Sequence, residues 1–584
     1  MNSIKRLVIT NILMALAFMT PALSFAAPIL ISPANGATGV SQSPTLVAAD
    51  FTLGVDTQYQ FQVSTNSVTM IPTQTYDQRT GQVFAAGAFS GTNATISVTN
   101  DAYSSVSTAT FVYYSSSTAK LIANTTYYWR AVVVVPNTGG AWSVIKSFTT
   151  GQFASTSPVN HLAISGVSIF GANNTGLANI GFNIAENNVT TGTSTNNGAY
   201  NTADWVFIKF STMSGADGTW NHATLTGGIV GAGATLTTPS DKKGVYLNHT
   251  AVSSYWTAGT TVTWDFGADG VDGKSAIVKV FAIAMVKVPT GSYVHNVNGG
   301  NGGSNNYGNG SEATVTGPGT VTGTGTNNLP NGAPVGWPNG YNSFYIGRYE
   351  ITQGQYADFL NTIPEALAST RFASNTDAGH NMTNTGTYPN KYAAVDRNTA
   401  KNYISFADAW TYYSWAALRP MTVMEFEKAG RDLAPDRRIY PWGTTSVPAT
   451  TTYIPPNEGA TAVRLYLNYN NSGSGKVMNV GRYLSGDLYR TAEQTGASPW
   501  GIADLAGSLF ETAINCSWTT SVPLNGNGTT TYPATWPTPG SSASRLGGSW
   551  ANDASPIQIS GRSGDGYTDT GRNYDVGTRA ARTP

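Results

Sequence analysis

The chain contains few side chains of the types that usually carry out redox or metal chemistry. It has a single cysteine, Cys516, and its five histidines lie at positions 161, 222, 249, 295 and 380. Cu(I) is held by soft thiolate ligands, for which carboxylates and hydroxyls do not substitute. The histidines show no clustered spacing of the kind that metal ligands have. Because the chain has one thiol and its five histidines are far apart in sequence, we expect no redox metal centre.

An acidic stretch, Asp265-Phe-Gly-Ala-Asp-Gly-Val-Asp-Gly, superficially resembles a calcium-binding loop. It lacks the spaced acidic ligands and the terminal glutamate of an EF-hand. We therefore expect a turn between two strands at this position.

The overall composition is typical of an extracellular β-rich protein. Only 11 % of the 584 residues are charged, whereas ordinary soluble domains have about 25 %. The 31 basic and 31 acidic residues cancel, so the sequence carries no electrostatic footprint for nucleic acid or for an anionic membrane. A single cysteine allows no internal disulfide, and the domains must therefore be held together by burial alone.

The N-terminus has the pattern of a secretory signal peptide. Lys5 and Arg6 precede the short apolar run Leu7–Met19, and Ser24-Phe-Ala places small residues at a cleavage site after Ala26. The alternative is an uncleaved anchor, but the apolar run is shorter than the ~20 residues that a membrane span needs. We expect a signal peptide over 1–26 and a secreted, periplasmic or cell-surface protein with no later membrane span.

Residues 27–151 are predicted to form a first all-β sandwich module. Short alternating segments rich in Val, Tyr and Thr indicate half-buried strands between turns. The pair Thr126–Val135 and Trp142–Thr149 resembles the last hairpin of a fibronectin type III module, with Trp129 between the two sheets. The alternative is an unrelated β-sandwich, and either would serve as a spacer or binding module.

Residues 158–281 are predicted to form a second β-rich module. Trp205-Val-Phe-Ile-Lys-Phe and Gly244-Val-Tyr-Leu are strand-like, and Ile277–Val286 is almost continuously apolar. This block resembles the β-module that often precedes sulfatase-modifying-factor domains in secreted bacterial proteins.

The rest of the chain carries a series of motifs in a recognisable order. They are Met285-Val-Lys-Val-Pro-Thr-Gly-Ser-Tyr, Phe344-Tyr-Ile-Gly-Arg-Tyr-Glu, Leu418-Arg-Pro-Met-Thr, Tyr440-Pro-Trp-Gly, Gly547-Gly-Ser-Trp and Gly577-Thr-Arg. In this order they resemble the sulfatase-modifying-factor, or formylglycine-generating-enzyme, family. The resemblance implies an α+β domain of the C-type-lectin-like fold over 282–584. The Gly/Asn-rich stretch 296–342, a flexible loop by composition, is then an insertion in that domain.

Three capping patterns predict where helices of this domain begin. Thr352-x-x-Gln and Thr422-x-x-Glu are capping boxes, and Ser405-x-x-Asp is a related Ser-x-x-acid pattern. Aromatic residues follow each pattern on one helical face, and we interpret them as core packing.

The family resemblance makes the missing cysteines informative. The formylglycine-generating enzyme binds copper through two cysteines shortly after its Gly-Gly-Ser-(Tyr/Trp) motif, whereas the stretch from Ala551 to Arg562 has none, and Cys516 lies upstream. The iron-dependent branch of the family needs a histidine cluster, which is also lacking. We therefore expect no copper and assign no catalytic residue.

The resemblance also implies a structural calcium site. In the family, a loop Asn-x-x-Gly-x-Ala-x-Glu holds calcium through two side chains and two carbonyls. The corresponding residues are Asp504, Gly507, Leu509 and Glu511, and aspartate keeps a hard oxygen ligand. The alternative is a turn without metal that carries two exposed acids.

Two functions follow from these features. The favoured one is a non-catalytic domain, a pseudoenzyme, that binds an extracellular peptide or glycan or has a structural role. The adaptable polar and aromatic residues near the Gly-Gly-Ser-Trp loop are the ligand-binding candidates: Trp550, Asn552, Asp553, Arg562, Tyr567 and Arg572. The alternative is a divergent modifying factor that acts on secreted substrates by another chemistry.

Overall fold

The structure is a computed structural model, and its elements belong to two compact units. One unit comprises Met1–Ala154 and Phe170–Asn173, and the other comprises Ser155–Ile169 and Asn174–Pro584. The structure describes residues 29–40, 45–50, 58–64, 74–77, 82–84, 96–99, 107–112, 126–135, 138–150, 162–172, 175–213, 215, 220–271, 276–297, 312–323, 333–443, 447, 452–453, 463–464, 477–481, 484, 496–518, 520–538, 542–552, 555–561, 564–565 and 571–584.

The described part of the first unit contains two sheets. Its strands are β1 (Ile29–Ser32), β2 (Ala37–Val40), β3 (Thr45–Asp50), β4 (Gln58–Ser64), β5 (Gln74–Asp77), β6 (Gln82–Phe84), β7 (Ile96–Thr99), β8 (Ser107–Val112), β9 (Thr126–Val135), β10 (Thr138–Trp142) and β11 (Lys146–Thr150). One sheet has the order β1-β3-β8-β7, and the other has the order β2-β11-β9-β4-β5-β6 with β10 against β9. Trp129 is fully buried, together with Phe61 and Phe148. The fibronectin type III assignment of this unit stays a prediction, and the expected signal peptide, 1–26, lies outside the described residues.

The second unit begins with ten strands. They are β12 (Ala163–Phe170), β13 (Leu177–Val189), β14 (Thr191–Thr193), β15 (Ala199–Ser211), β16 (Asn221–His222), β17 (Leu225–Val230), β18 (Ala234–Thr237), β19 (Val245–His249), β20 (Ser253–Asp265) and β21 (Ile277–Val288). The acidic stretch after β20 forms a turn over 266–270, as its sequence predicts.

The remainder of this unit adds helices and short strands. They are β22 (Tyr293–His295), β23 (Ala313–Gly317), β24 (Thr320–Gly323), β25 (Phe344–Gly347), α1 (Gln353–Leu360), α2 (Glu365–Arg371), β26 (Met382–Thr383), β27 (Ala393–Ala394), α3 (Phe406–Trp415), β28 (Arg419–Thr422), α4 (Val423–Gly430), β29 (Thr452–Tyr453), β30 (Val463–Arg464), β31 (Phe510–Ile514), β32 (Ala543–Leu546), β33 (Gly564–Asp565), β34 (Val576–Gly577) and β35 (Ala580–Arg582). The described chain is thus mostly β, with four helices. None of these helices is long and apolar enough to cross a bilayer.

One large sheet runs through the second unit. Its order is β18-β19-β15-β21-β25-β35-β28-β31-β32-β33, and a separate sheet has the order β12-β13-β20-β17. Strand β21 pairs with β15 from Ile277 to Lys287 and with β25 from Met285 to Val288. The domain boundary expected at 281/282 falls inside this strand, so the hydrogen-bonded sheet is continuous across it.

The same region shares one hydrophobic core. Trp205 on β15 packs in a cluster with residues of α1 and α3, and its indole nitrogen donates to Ala416 O at 2.8 Å. Tyr246 on β19 stacks on Tyr345 on β25 with ring centroids 3.8 Å apart. Apolar area removed from water stabilises by roughly 25 cal/mol per Å², so this shared burial holds the β-rich segment to the rest of the unit.

The three predicted helix starts are confirmed. Thr352, Ser405 and Thr422 are N-caps, and each forms a reciprocal capping box with the residue three positions later. Sequence patterns missed helix α2, whose N-cap residue Pro364 has no side-chain cap.

The composition-based expectation of a flexible loop over 296–342 is wrong for part of that stretch. Strands β23 and β24 form a hairpin on β22, and Val315 is fully buried. The two-residue turn is Pro318-Gly319, with Gly319 at φ 79°, a conformation that glycine adopts without steric cost. The Pro-Gly pair between two alternating Thr/Val segments was the signal for this hairpin.

Thr422→Ala should destabilise the second unit by about 1 kcal/mol, because it removes the side-chain cap of α4. The hydroxyl accepts from Glu425 N and also donates to Pro338 O, and Thr422 is fully buried. Urea unfolding of the purified protein measures the change. Thr370→Ala, at an exposed helical threonine, is the matched control and should change stability by a few tenths of a kcal/mol at most. Equal losses in the two variants would contradict the capping role.

Candidate functional site

The loop that carries Asp504 is held in a backbone conformation that brings two family motifs together. Asp504, Gly507 and Ser508 all have positive φ angles, of 58°, 75° and 59°. Gly507 N donates to Gly547 O, and Trp550 N donates to Ser508 O, each at 2.8 Å. The acidic loop therefore lies directly against the Gly-Gly-Ser-Trp loop.

Glu511 is bound by a buried arginine. It lies on β31, and Arg579 reaches both of its carboxylate oxygens, with the shortest contact from Nη2 to Oε1 at 2.6 Å. Arg579 also donates to Gly347 O and Ala503 O, each at 2.8 Å. Both side chains are inaccessible to solvent. The alternative expectation of an exposed acid at Glu511 is therefore wrong.

A third acid, Glu350, lies in the same cluster and was not singled out from the sequence. Its oxygens accept from Ser508 Oγ and from Leu509 N, each at 2.9 Å. It follows β25 in the Phe344-Tyr-Ile-Gly-Arg-Tyr-Glu motif. A lone acid at the end of an apolar strand was the available signal, since such an acid must be stabilised by partners when it is buried.

Burial and mutual repulsion disfavour the ionised form of the carboxyl groups in this acidic cluster. Burial, and then the neighbouring Glu511 and Asp504, raise the pKa of Glu350 well above its usual range. Burial also raises the pKa of Asp504, while the hydrogen bond from Gly481 N opposes that shift. Arg579 forms an ion pair with Glu511, and among the described residues no basic side chain forms one with Glu350 or Asp504.

The three ligand-binding candidates that the structure describes do not form one exposed group. Trp550 is 7 % exposed and packs in a core cluster with Leu509 and Val480, and the ring of Tyr574 lies 5.6 Å from its ring. Asn552 accepts from Ser549 N and Oγ and so closes a turn. Asp553, Arg562 and Tyr567 lie outside the described residues.

Arg572 has internal partners. Its guanidinium donates to both carboxylate oxygens of Asp408, at 2.7 and 2.9 Å, and to Thr370 O at 2.7 Å. Asp408 is the residue that completes the capping box of α3. This arginine therefore holds the N-terminus of α3.

Cys516 lies in a core cluster and not in the Gly-Gly-Ser-Trp loop. It follows β31, is 9 % exposed, and is surrounded by apolar side chains that include Trp337 and Leu546. A thiol in apolar surroundings keeps its proton, and the thiolate is the form that binds metal. The loop at 549–552 and the following described residues, 555–561, contain no cysteine.

A cavity of about 400 Å³ opens in the second unit beside Glu350. Its polar lining comes from α1 and the segment after β27, and includes Thr352, Gln355, Asp358 and Arg397. Asp358 and Arg397 form an ion pair at its rim. This cavity could admit a small polar molecule.

Comparison with known proteins identifies the domain that bears these motifs. Residues 301–584 match the family described as sulfatase-modifying factor enzyme 1-like domain. This part of the chain belongs to that family. The match confirms the resemblance for the C-terminal ~300 residues. A search of curated proteins found no match. The sulfatase-modifying-factor domain thus includes the acidic loop, Glu350, Arg579 and the Gly-Gly-Ser-Trp loop.

Arg579→Met should destabilise the sulfatase-modifying-factor domain by about 3–5 kcal/mol, because it leaves Glu511 buried without its cation. Arg437→Met removes an exposed arginine paired with Glu312 and should cost about 1 kcal/mol or less. Chemical denaturation followed by near-UV circular dichroism measures both. Similar losses for the two variants would show that the buried pair contributes no more than a surface pair.

Proposed function

We propose that the sulfatase-modifying-factor domain of this protein is non-catalytic and serves extracellular recognition. The observation that carries the proposal is the position of its only thiol. Cys516 is buried in the core, and the loop after Gly547-Gly-Ser-Trp offers hard oxygen and amide groups in place of thiolates. Cu(I) requires soft ligands, so formylglycine formation by the family's copper chemistry has no ligand set in this chain.

The expected location outside the cell agrees with this role. The signal-peptide pattern of residues 1–26 supports export, and the N-terminal β-strands provide a stalk or binding module ahead of the domain. A low content of charged residues suits a surface solvated by hydroxyl and amide groups. The ligand class that fits is a peptide or a glycan.

The recognition surface that we propose lies around the Gly-Gly-Ser-Trp loop. Tyr574 is 45 % exposed, and its ring lies 5.6 Å from that of the buried Trp550 with the two planes inclined at 50°, so it presents an aromatic side chain at the surface beside a rigid base. Rigid aromatic side chains next to adaptable polar groups are typical of recognition surfaces, because they contribute contact area at a low cost in conformational entropy. Asn552 and the neighbouring polar residues would supply the hydrogen bonds.

The purified protein should not convert a sulfatase-motif peptide to formylglycine in the presence of copper, reductant and oxygen. Mass spectrometry of the peptide detects the aldehyde directly. Aldehyde formation that persists in Cys516→Ser would refute the argument from thiolates. Aldehyde formation that disappears in Cys516→Ser would place the active site at this cysteine and would support the divergent-enzyme alternative.

We further propose a structural calcium ion at Asp504, Glu511 and the carbonyl groups of Gly507 and Leu509. The excess of acids over basic partners in this cluster supports it, since a divalent cation would balance the buried charge of Asp504 and Glu350. An ionised carboxylate has about four acceptor sites, so Glu511 can bind Arg579 and a cation together.

Calcium should raise the melting temperature of the wild-type protein, and at 100 times Kd it should add about 2.7 kcal/mol of stability. Asp504→Asn and the double variant Asp504→Ala with Glu511→Ala should abolish the calcium dependence. Asp265→Asn is the matched control, because Asp265 belongs to the other acidic stretch and bonds a turn amide. A wild-type melting temperature that a calcium chelator does not change would contradict the site.

A further inference from the structure

A second group of potential metal ligands lies in the β-rich part of the second unit, away from the acidic loop. Glu186 on β13, Asp204 on β15 and His249 at the end of β19 come together, and all three are buried. Strand β13 belongs to one sheet, and β15 and β19 belong to another. The three side chains therefore connect two sheets inside the second unit.

The spacing of the three side chains fits the first shell of a small divalent cation. His249 Nε2 is 3.4 Å from Asp204 Oδ2 and 3.7 Å from Glu186 Oε2, and one ligand atom from each residue lies within 4.8 Å of the others. Zinc–nitrogen and zinc–oxygen bonds of about 2.1 Å at tetrahedral angles separate two ligand atoms by about 3.4 Å. The two measured separations are close to that value.

The hydrogen bonds around Thr202 support a ring proton on Nδ1 of His249. Its hydroxyl donates to Thr190 O at 3.0 Å and accepts from Thr190 N at 2.9 Å. With the hydroxyl proton on Thr190 O, we assign the ring proton of His249 to Nδ1, which lies 3.0 Å from Thr202 Oγ1 and donates to it. Burial lowers the pKa of His249, which favours the neutral ring. Its Nε2 therefore directs a lone pair at two carboxyl groups, which is the arrangement of a metal-binding histidine.

The carboxyl groups also lack enough donors. Glu186 Oε1 binds Arg348 Nη1 at 3.1 Å, but among the described residues Glu186 Oε2, both oxygens of Asp204 and His249 Nε2 have no hydrogen-bond partner. A buried carboxylate without a cation or donor is strongly unfavourable. Three acceptor groups that face one another need a positively charged occupant between them.

We propose that Glu186, Asp204 and His249 bind a structural divalent transition-metal ion of the zinc class. Imidazole nitrogen selects such ions over calcium and magnesium, and carboxylate oxygens complete the set. Both oxygens of Asp204 lack a hydrogen-bond partner among the described residues, and chelation through both would complete a distorted tetrahedral site. The site is closed to solvent, as structural zinc sites are. The metal would join the two sheets beside Arg348, which belongs to the sulfatase-modifying-factor domain.

The competing occupant is a proton. Burial raises the pKa of Glu186 to about 8 and that of Asp204 to about 7, and a protonated carboxyl group could hydrogen bond to its neighbour or to His249 Nε2. If a proton occupies the site, the protein should hold no added zinc, or Asp204→Asn should hold as much zinc as the wild type. If a metal ion occupies the site, the wild type should bind zinc and Asp204→Asn should lose it.

The test uses the full-length protein after a zinc chelator has removed any bound transition metal. Excess calcium is present throughout, so that sites formed by carboxylate and carbonyl oxygens are occupied by calcium and not by zinc. After loading with Zn²⁺ and desalting, elemental analysis should find about one zinc per chain, and Co²⁺ should give the visible absorption of a tetrahedral site. Asp204→Asn and His249→Gln should lose the zinc and the cobalt spectrum. Thr202→Val, which removes the positioning hydroxyl of His249, should weaken zinc binding by about 10- to 100-fold.

Asp504→Asn is the matched control, because it makes the same substitution in the acidic loop, and it should retain the zinc. Wild-type protein that holds no zinc, or Asp204→Asn that holds as much as wild type, overturns the proposal in favour of a proton. If neither ligand variant folds, anomalous diffraction at the zinc edge from wild-type crystals decides. A peak at His249 Nε2 supports the proposal, and its absence there overturns it.

Discussion

The ion pair of Arg579 with Glu511 is the interaction on which the arrangement of the sulfatase-modifying-factor domain depends. One guanidinium joins β31, the end of β25 at Gly347 and the loop at Ala503. It thereby fixes the strand that follows the acidic loop. That loop in turn bonds the Gly-Gly-Ser-Trp loop through Gly507 and Ser508. Because these segments are distant in sequence, a planar group with several donors in fixed directions is suited to hold them, and lysine could not replace it.

Strand β21 has a comparable role for the β-rich segment that precedes the family match. It has partners on both edges, so neither neighbouring strand can leave without breaking a ladder of backbone hydrogen bonds. Trp205 and Lys209, both on β15, add contacts: the indole donates to Ala416 O, and the buried ammonium group donates to Trp415 O and Gly528 O. A buried ammonium group with bound carbonyl acceptors is restricted to one geometry. The β-rich segment and the sulfatase-modifying-factor domain are thus parts of one folded unit.

Local signals in the sequence predicted local structure well. The capping residues Thr352, Ser405 and Thr422 predicted three helix starts, because each cap is decided within four residues. The order of family motifs predicted the C-terminal domain. Composition failed at the hairpin of β23 and β24, where the buried side chains of Ala313 and Val315 mattered more than the surrounding glycine and asparagine.

The metal-ligand candidates in the β-rich segment were not predicted from spacing, for a physical reason. Glu186, Asp204 and His249 lie on three strands, and strand pairing rather than sequence distance brings them together. The sequence of β13 did indicate a buried acid. Every second residue in the first part of this strand is apolar and buried, and Glu186 occupies the next position of that series, after Ala178, Ile180, Phe182 and Ile184. An acidic side chain at a buried strand position that is otherwise apolar must have a polar or charged partner. The partner residues belong to strands that only the tertiary structure aligns.

Buried arginines neutralise several buried acids in this chain of low charge content. Arg348, Arg419, Arg431, Arg579 and Arg582 are among the largest fully buried side chains, and each contacts an acid: Glu186, Glu425, Glu427, Glu511 and Asp241. Each glutamate in these pairs is buried and has a guanidinium group at hydrogen-bond distance. Asp204 departs from this pattern, because among the described residues it forms no ion pair with an arginine and its carboxyl group faces Glu186 and the imidazole of His249, 3.4 Å away. Asp204 shares this lack of an arginine ion pair with Glu350 and Asp504, so at both places the burial of an acid requires either a proton or a bound cation, and the proposed metal ions are the second of these.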